Sequence, residues 1–182
     1  MFTALATAAL FLSSNAAAEE YQADVAHSTL SFVVQSALID AQGTFNQWTA
    51  VAIVDGNDLS TLEIRATIDI SSIDTGIEKR DNHLRSSDFF GAEAHAKATF
   101  KSRSVKVTSE SELIVTGDLS IKGITKSVSI PVSVKHAGDG RYRLAGQATL
   151  NRMDFGVDYQ SNLNPIADTV DVLLDVNFMM PQ

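Results

Sequence analysis

Cysteine is missing from all 182 residues, which excludes a disulfide framework, a thiolate metal site, a cysteine nucleophile and a lipid-modified cysteine behind an export signal. Clustered positive charge is missing too: 14 basic residues stand against 22 acidic ones for a net charge of −8, and Lys and Arg never gather beyond scattered pairs. That balance argues against nucleic acid as a partner. It also argues against stable membrane insertion, because an anionic bilayer face repels such a chain and any lipid partner has to be taken into a pocket. Metal spacing is absent, since His27, His83, His95 and His136 lie far apart with no H-x-x-x-H or related pattern. No serine stands in a G-x-S-x-G context, and Asp154-Phe155-Gly156, which spells the kinase magnesium triplet, has none of its companion motifs. Catalytic residues, metals and cofactors are therefore all expected to be none. Acid–base sites assembled from distant strands are the one class that leaves no local signature.

What is present begins with a leader-like stretch. Residues 1–18 form an uncharged apolar run that closes on Ala16-Ala17-Ala18, the A-x-A pattern that a signal peptidase cuts, although a basic n-region is lacking. The expectation is a signal peptide over 1–18, a single mature domain over 19–182, and a periplasmic or secreted location.

Beyond it the chain alternates. Leu62, Ile64, Ala66, Ile68 and Ile70 interleave with Glu63, Arg65, Thr67 and Asp69, the period of a half-buried strand. The same period recurs over 113–121 and 128–134, with further strands expected at 142–150 and 170–178. The segments 30–35, 51–54 and 98–107 complete a set of about eight. Asp55-Gly-Asn-Asp58 and Ala137-Gly-Asp-Gly140 supply turn residues for antiparallel neighbours. A sheet with one apolar face must fold onto another sheet or close on itself. The fold class is therefore all-β, an antiparallel barrel of about eight strands, because long strands and the removal of exposed edges favour closure. A β-sandwich is the alternative.

One segment breaks the alternation. Ser71 to Phe90 reads as a short helix, with Thr75 and Glu78 at capping-box spacing. Its inward positions are expected to be Ile77 and Leu84, with Arg80 and Asp81 on the same face, so that charge points toward the core. An eight-stranded barrel is either filled by side chains or holds one small ligand. Ala66, Gly117, Gly146 and Ala148 on the apolar faces point to a cavity, or else relieve crowding where strands bend.

Several motifs resemble the YceI-like family: RDNHLRSSDFF at 80–90, ATF-KS at 98–102, VTGDLSIKGITKSV at 115–128 and LNRMDFGV at 150–157. The opening YQADVAHSTLSFVV at 21–34 and GTF at 43–45 fit the family's first hairpin. The resemblance runs in order over essentially the whole mature chain. It implies a lipocalin-like barrel that binds polyisoprenoids or related long-chain amphiphiles, with no assigned catalysis, and a homodimer. Where members often carry F-x-x-x-H after the residue equivalent to Phe32, this chain has Ser36, which implies a different head group or none.

On this reading the ligand, an isoprenoid lipid or a quinone, meets Phe32, Phe45, Trp48 and Phe89, then Phe90, Phe100, Leu119 and Phe155, because aromatic side chains bring large area to an apolar pocket. Phe100 and Phe155 have a second reading as seals of the barrel bottom. Arg80, His83, Leu84 and Arg85 are candidates for a head group or lid. The structural alternative pairs Asp81 with Arg85 at i,i+4 and sets Arg80 against a strand carboxylate. The competing functions are a lipid-modifying enzyme with His83 as base and Asp81 orienting it, and a scaffold with no ligand.

Overall fold

In the computed structural model the described residues are 18–138 and 140–181. The expected leader lies outside them except for Ala18, and residue 139 of the 137–140 turn lies outside them as well. Eleven strands form one antiparallel sheet: β1 Ala18–Ala23, β2 Thr29–Ser36, β3 Ala41–Phe45, β4 Trp48–Asp55, β5 Asp58–Asp69, β6 Ile73–Asp74, β7 Lys97–Ser109, β8 Glu112–Ile121, β9 Ile124–Gly138, β10 Arg141–Asn151 and β11 Ile166–Met179. One α-helix, α1 Glu78–Arg85, interrupts them. No helix among the described residues is long and apolar enough to cross a membrane.

The eleven strands make eight staves, because three staves are broken pairs. β1 and β2 both run antiparallel to β11, Gln22 opposite Met179 and Leu30 opposite Leu174, separated by the short 3-10 turn Val25–His27. β3 and β4 break in the same way against β2 and β1, and β5 and β6 against β4 and β3. The pairing of β1 with β11 closes the ring, so the sandwich alternative is not formed. Each of the eight expected strands is the long part of one stave. β1, β3 and β6 are the additions, and they are too short to carry a visible period.

Turn chemistry explains the hairpins. Lys122 and Gly123, between paired Ile121 and Ile124, both have positive φ, at 51° and 78°, the two-residue geometry whose twist matches antiparallel strands. At the other end Gly56, φ 56°, turns β4 into β5.

The wall has two seams. β9 pairs with β10 only from Val132 to Gly138, so its first half and the end of β10 separate toward one end of the barrel. Pro131 begins that seam with no N–H to donate, and a Cβ on Gly146 would lie 2.7 Å from the Pro131 carbonyl. On the other side β5 and β7 pair only from Arg65 to Asp69, and at the β7 bulge Ser102 Oγ accepts from Ile64 N at 2.8 Å in place of a ladder bond.

The end carrying the 55–58 and 109–112 turns is sealed. Tyr21 and Tyr142 meet edge to face at 5.0 Å, above a buried packing of Val54, Leu62, Leu113 and Phe178. Burial of a side chain such as Leu113 contributes about 1.5–3 kcal/mol. The expected seal by Phe100 and Phe155 is not what closes this end: Phe155 lies at the opposite end with Phe89 and Val157. Phe100 sits midway, across from Ala66 and Leu119. The physical reason is chain direction, since Phe155 follows the exit of β10 at the open end.

Candidate functional site

The open end leads into a cavity of about 480 Å³ whose wall draws on every stave. Leu30, Phe32 and Val34 from β2 face it with Ile64, Ala66 and Ile68 from β5, and Val170, Val172 and Leu174 from β11 do the same. Each set is spaced by two, as inward positions of a strand must be. Of the four small residues, Ala66 and Ala148 line this space. Gly117 and Gly146 do not. A Cβ on Gly117 would stand 2.6 Å from Phe100 Cζ, so that glycine makes room for a ring, while Gly146 permits the close approach at the seam.

All eight residues expected to form the lining border the cavity: Phe32, Phe45, Trp48 and Phe89, together with Phe90, Phe100, Leu119 and Phe155. The upper aromatics form a collar. Phe45 lies 5.7 Å from Phe32 and 6.3 Å from Phe90, centroid to centroid. In a second cluster, His83, Phe89 and Tyr159 stand within 4.9 Å of one another, the imidazole edge to face with both rings.

Arg80, His83 and Leu84 also reach the cavity. Arg85 does not border it. Its guanidinium donates to the Ile73 carbonyl at 3.2 Å and to Asn82 Oδ1 at 2.8 Å, tying α1 to β6. The expected capping box is not formed either. Gly76, φ 74°, puts a left-handed turn between Thr75 and the helix, so the cap falls on Ile77 in extended conformation and Ile77 is left 52% exposed rather than inward. Asp81, only 7% exposed, reaches back instead and accepts from Thr75 N at 2.9 Å and from Thr75 Oγ1 at 2.5 Å. Arg80 completes the knot, donating through Nε to Thr75 Oγ1 at 2.8 Å and through Nη2 to the Thr75 carbonyl at 2.9 Å. The inward charge is therefore a local latch. Asp81 is not paired with Arg85, and Arg80 takes no strand carboxylate among the described residues.

Two positions absent from the expected set, Arg152 and Asn164, build the rest of the mouth. Arg152, 6% exposed, donates to the carbonyls of Val157 at 2.5 Å, Ala167 at 2.9 Å, Tyr159 at 3.0 Å and Ile166 at 3.3 Å. It thereby fixes the 156–166 loop that carries Tyr159 over the cavity. Asn164 bridges this loop to the β2–β3 turn, accepting from Leu38 N at 2.9 Å and donating to Ser36 Oγ at 3.0 Å. Ser36, at the position where the family often has histidine, borders the cavity, and its own hydroxyl donates to the Ile39 carbonyl. The aliphatic lining was legible from strand parity. Arg152 had no signal beyond lying inside a motif.

The matches to known proteins cover the same barrel. The family model described as the YceI-like domain matches residues 21–178. UPF0312 proteins of Staphylococcus aureus strains MSSA476 and N315 are 40% and 39% identical over 165 residues, which is 85% of this chain and 91% of each relative. The crystal structure of Burkholderia cenocepacia BcnA superposes with a TM-score of 0.80 at 26% identity, covering 85% of this chain and 98% of that one. A polyisoprenoid binding domain from Saccharophagus degradans shares the fold at TM-score 0.72 and 19% identity, over 88% and 98% of the two chains. A closed barrel with an apolar lumen, matched from its first inward tyrosine to its last inward phenylalanine, makes this chain a member of the YceI-like family.

Proposed function

We propose that the protein binds, stores or carries a polyisoprenoid or similar long-chain amphiphile, a quinone included, without changing it chemically. The setting is the periplasm or the cell exterior, after removal of residues 1–18. The observation that carries this reading is the apolar cavity of about 480 Å³, open at one end and sealed at the other. Transfer of each methylene from water into such a lumen is worth about 0.8 kcal/mol, so the tail alone drives binding. Recognition by tail shape stays weak, because one methylene discriminates by only about 1–3 kcal/mol. The Saccharophagus degradans domain, which is described as polyisoprenoid binding, supports the ligand class.

The enzyme reading lacks a comparable observation. Asp81 is engaged by both Thr75 donors, and the acidic partner of His83 is Asp88, Nε2 to Oδ2 3.3 Å, with both side chains substantially exposed. The deciding experiment is native mass spectrometry of protein purified from its own host, followed by lipid extraction. A co-purifying long-chain lipid, recovered unaltered after incubation, is expected. Protein that carries no lipid, and whose Trp48 emission ignores added lipids, would leave only the scaffold reading. The same spectra report whether the chain is a monomer or the homodimer the family resemblance implies.

A further inference from the structure

Bare apolar surface gathers at the open end of the barrel. Leu38, Ile39 and Leu163 are 73%, 74% and 90% exposed, whereas the next large apolar side chain among the described residues, Ile77, is 52% exposed. They stand on two loops, 37–40 and 161–165, that are held as one platform. Ala37 N donates to the Pro165 carbonyl at 3.0 Å, Leu38 N to Asn164 Oδ1 at 2.9 Å, and Asn164 Nδ2 to Ser36 Oγ at 3.0 Å. A platform fixed beforehand loses little conformational freedom when something covers it. It is also the neutral part of a molecule of net charge −8: neither 36–39 nor 159–167 contains a charged residue, and Asp40 at the edge turns back to accept from Ser36 N at 3.0 Å. Ile39, Ser161 and Asn164 border the cavity as well, so the apolar tips and the lumen are continuous.

We propose that this platform docks the barrel, mouth first, on the surface of a zwitterionic lipid bilayer. Leu38, Ile39 and Leu163 sink to the boundary between headgroups and acyl chains, and the Ser and Asn side chains around them stay at headgroup level. Three tips make a shallow and reversible contact, not an insertion. The inference rests on the lipid-binding reading above and adds a route to it: a lipid passes from bilayer to lumen past the two loops without its tail crossing water. A second copy of the chain fits the platform less well. Three side chains supply at most a few hundred Å², against about 800 Å² per partner in a stable protein interface, and two copies of net charge −8 repel each other. An anionic bilayer repels the chain in the same way, so the surface that suits a neutral apolar mouth is a neutral lipid one.

The test is flotation of the protein, purified from its own host, with vesicles of phosphatidylcholine alone and with vesicles that also contain phosphatidylglycerol. Binding to the neutral vesicles is expected, with little dependence on salt. Binding to the charged ones is expected to be weaker and to recover as salt screens the repulsion. Leu163→Ser, at a side chain 90% exposed and so without a part in the core, is expected to weaken partitioning onto neutral vesicles about tenfold, the low end for burying one leucine. Because the chain has no cysteine, Leu163→Cys accepts a single environment-sensitive dye. Its emission is expected to shift to the blue on phosphatidylcholine, while the same dye on Glu110→Cys, exposed in the 109–112 turn at the sealed end, stays unchanged. Absence of flotation with neutral vesicles overturns the inference, and so does binding that L163S leaves intact. A dimer in sedimentation velocity that L163S dissociates overturns it too, by making a second copy the occupant. Protein that docks on vesicles yet carries no lipid from its host overturns the lipid-binding reading alone, which keeps the two failures apart.

Discussion

Replacing Arg152 by Ala tests whether one buried guanidinium holds the mouth of the barrel together. Four backbone carbonyls lose a charged donor, those of Val157, Tyr159, Ile166 and Ala167. A hydrogen bond to a charged group contributes about 1.5–3 kcal/mol, but that figure is not additive over four acceptors sharing one cation. Water can satisfy the carbonyls of Tyr159, Ile166 and Ala167, which belong to half-buried residues, whereas Val157 is buried. The removal of a desolvated charge also offsets part of the loss. The net destabilisation expected is about 3 kcal/mol. For a domain of this size that corresponds to a fall in Tm of about 6–12 °C. Calorimetry measures the total, and amide hydrogen exchange locates it, with faster exchange expected across residues 156–166 and little change at the sealed end. Arg152→Lys keeps the charge but not the fork of donors, and it is expected to recover less than half of the loss. An R152A protein within about 0.5 kcal/mol of wild type, or a lysine variant fully restored, would refute the reasoning.

Further outcomes follow from the same contacts. Asp81→Ala strips Thr75 of its acceptor and is expected to cost about 1–3 kcal/mol by chemical denaturation, while Arg85→Ala, which loses an exposed hydrogen bond to Asn82 and a longer one to the Ile73 carbonyl, costs less. Gly117→Ala drives a methyl against the Phe100 ring and the Lys101 carbonyl, 2.6 and 2.5 Å from the new Cβ, and is expected to lower stability by about 1–3 kcal/mol; calorimetry showing no change would mean that β7 gives way freely. The Arg143 guanidinium hydrogen-bonded to Asp175 holds that carboxyl below the usual carboxylate range, against the opposing effect of burial. Its contribution is therefore present above about pH 4 and lost as pH falls through the lowered folded value, and Asp175→Asn flattens this part of the acid limb by no more than about 0.5 kcal/mol because both side chains are exposed. Burial, aided by the bond to Glu19, pushes the Tyr21 phenol up, so its contribution is present below about pH 10 and is lost as pH rises above that; Tyr21→Phe is expected to blunt alkaline unfolding.

Strand parity was the part of this protein written most plainly in its residues. Alternation over 62–70, 113–121 and 128–134 places an apolar face on each stave whatever the neighbours do, because successive Cβ atoms on a strand point to opposite sides. From that face came closure, the lumen and its aromatic lining, Phe32 through Phe155. Local chemistry misled at the helix. Thr75 and Glu78 have the right spacing for a cap, yet Gly76 between them takes a left-handed turn, and the buried carboxyl of Asp81 outcompetes the expected partner. A capping motif describes which bonds are available to a segment, and tertiary burial decides which of them form.

Thus the sequence by itself determined the fold class, the inward and outward faces and an apolar interior, all consequences of period and composition. Only the tertiary structure decided which end is open, how large the space is and what holds its rim. The closed end depends on Tyr21 meeting Tyr142, and the rim on Arg152 gathering carbonyls five to fifteen residues ahead of it along the chain. Such contacts have no period, because they join residues through space that the chain order keeps apart.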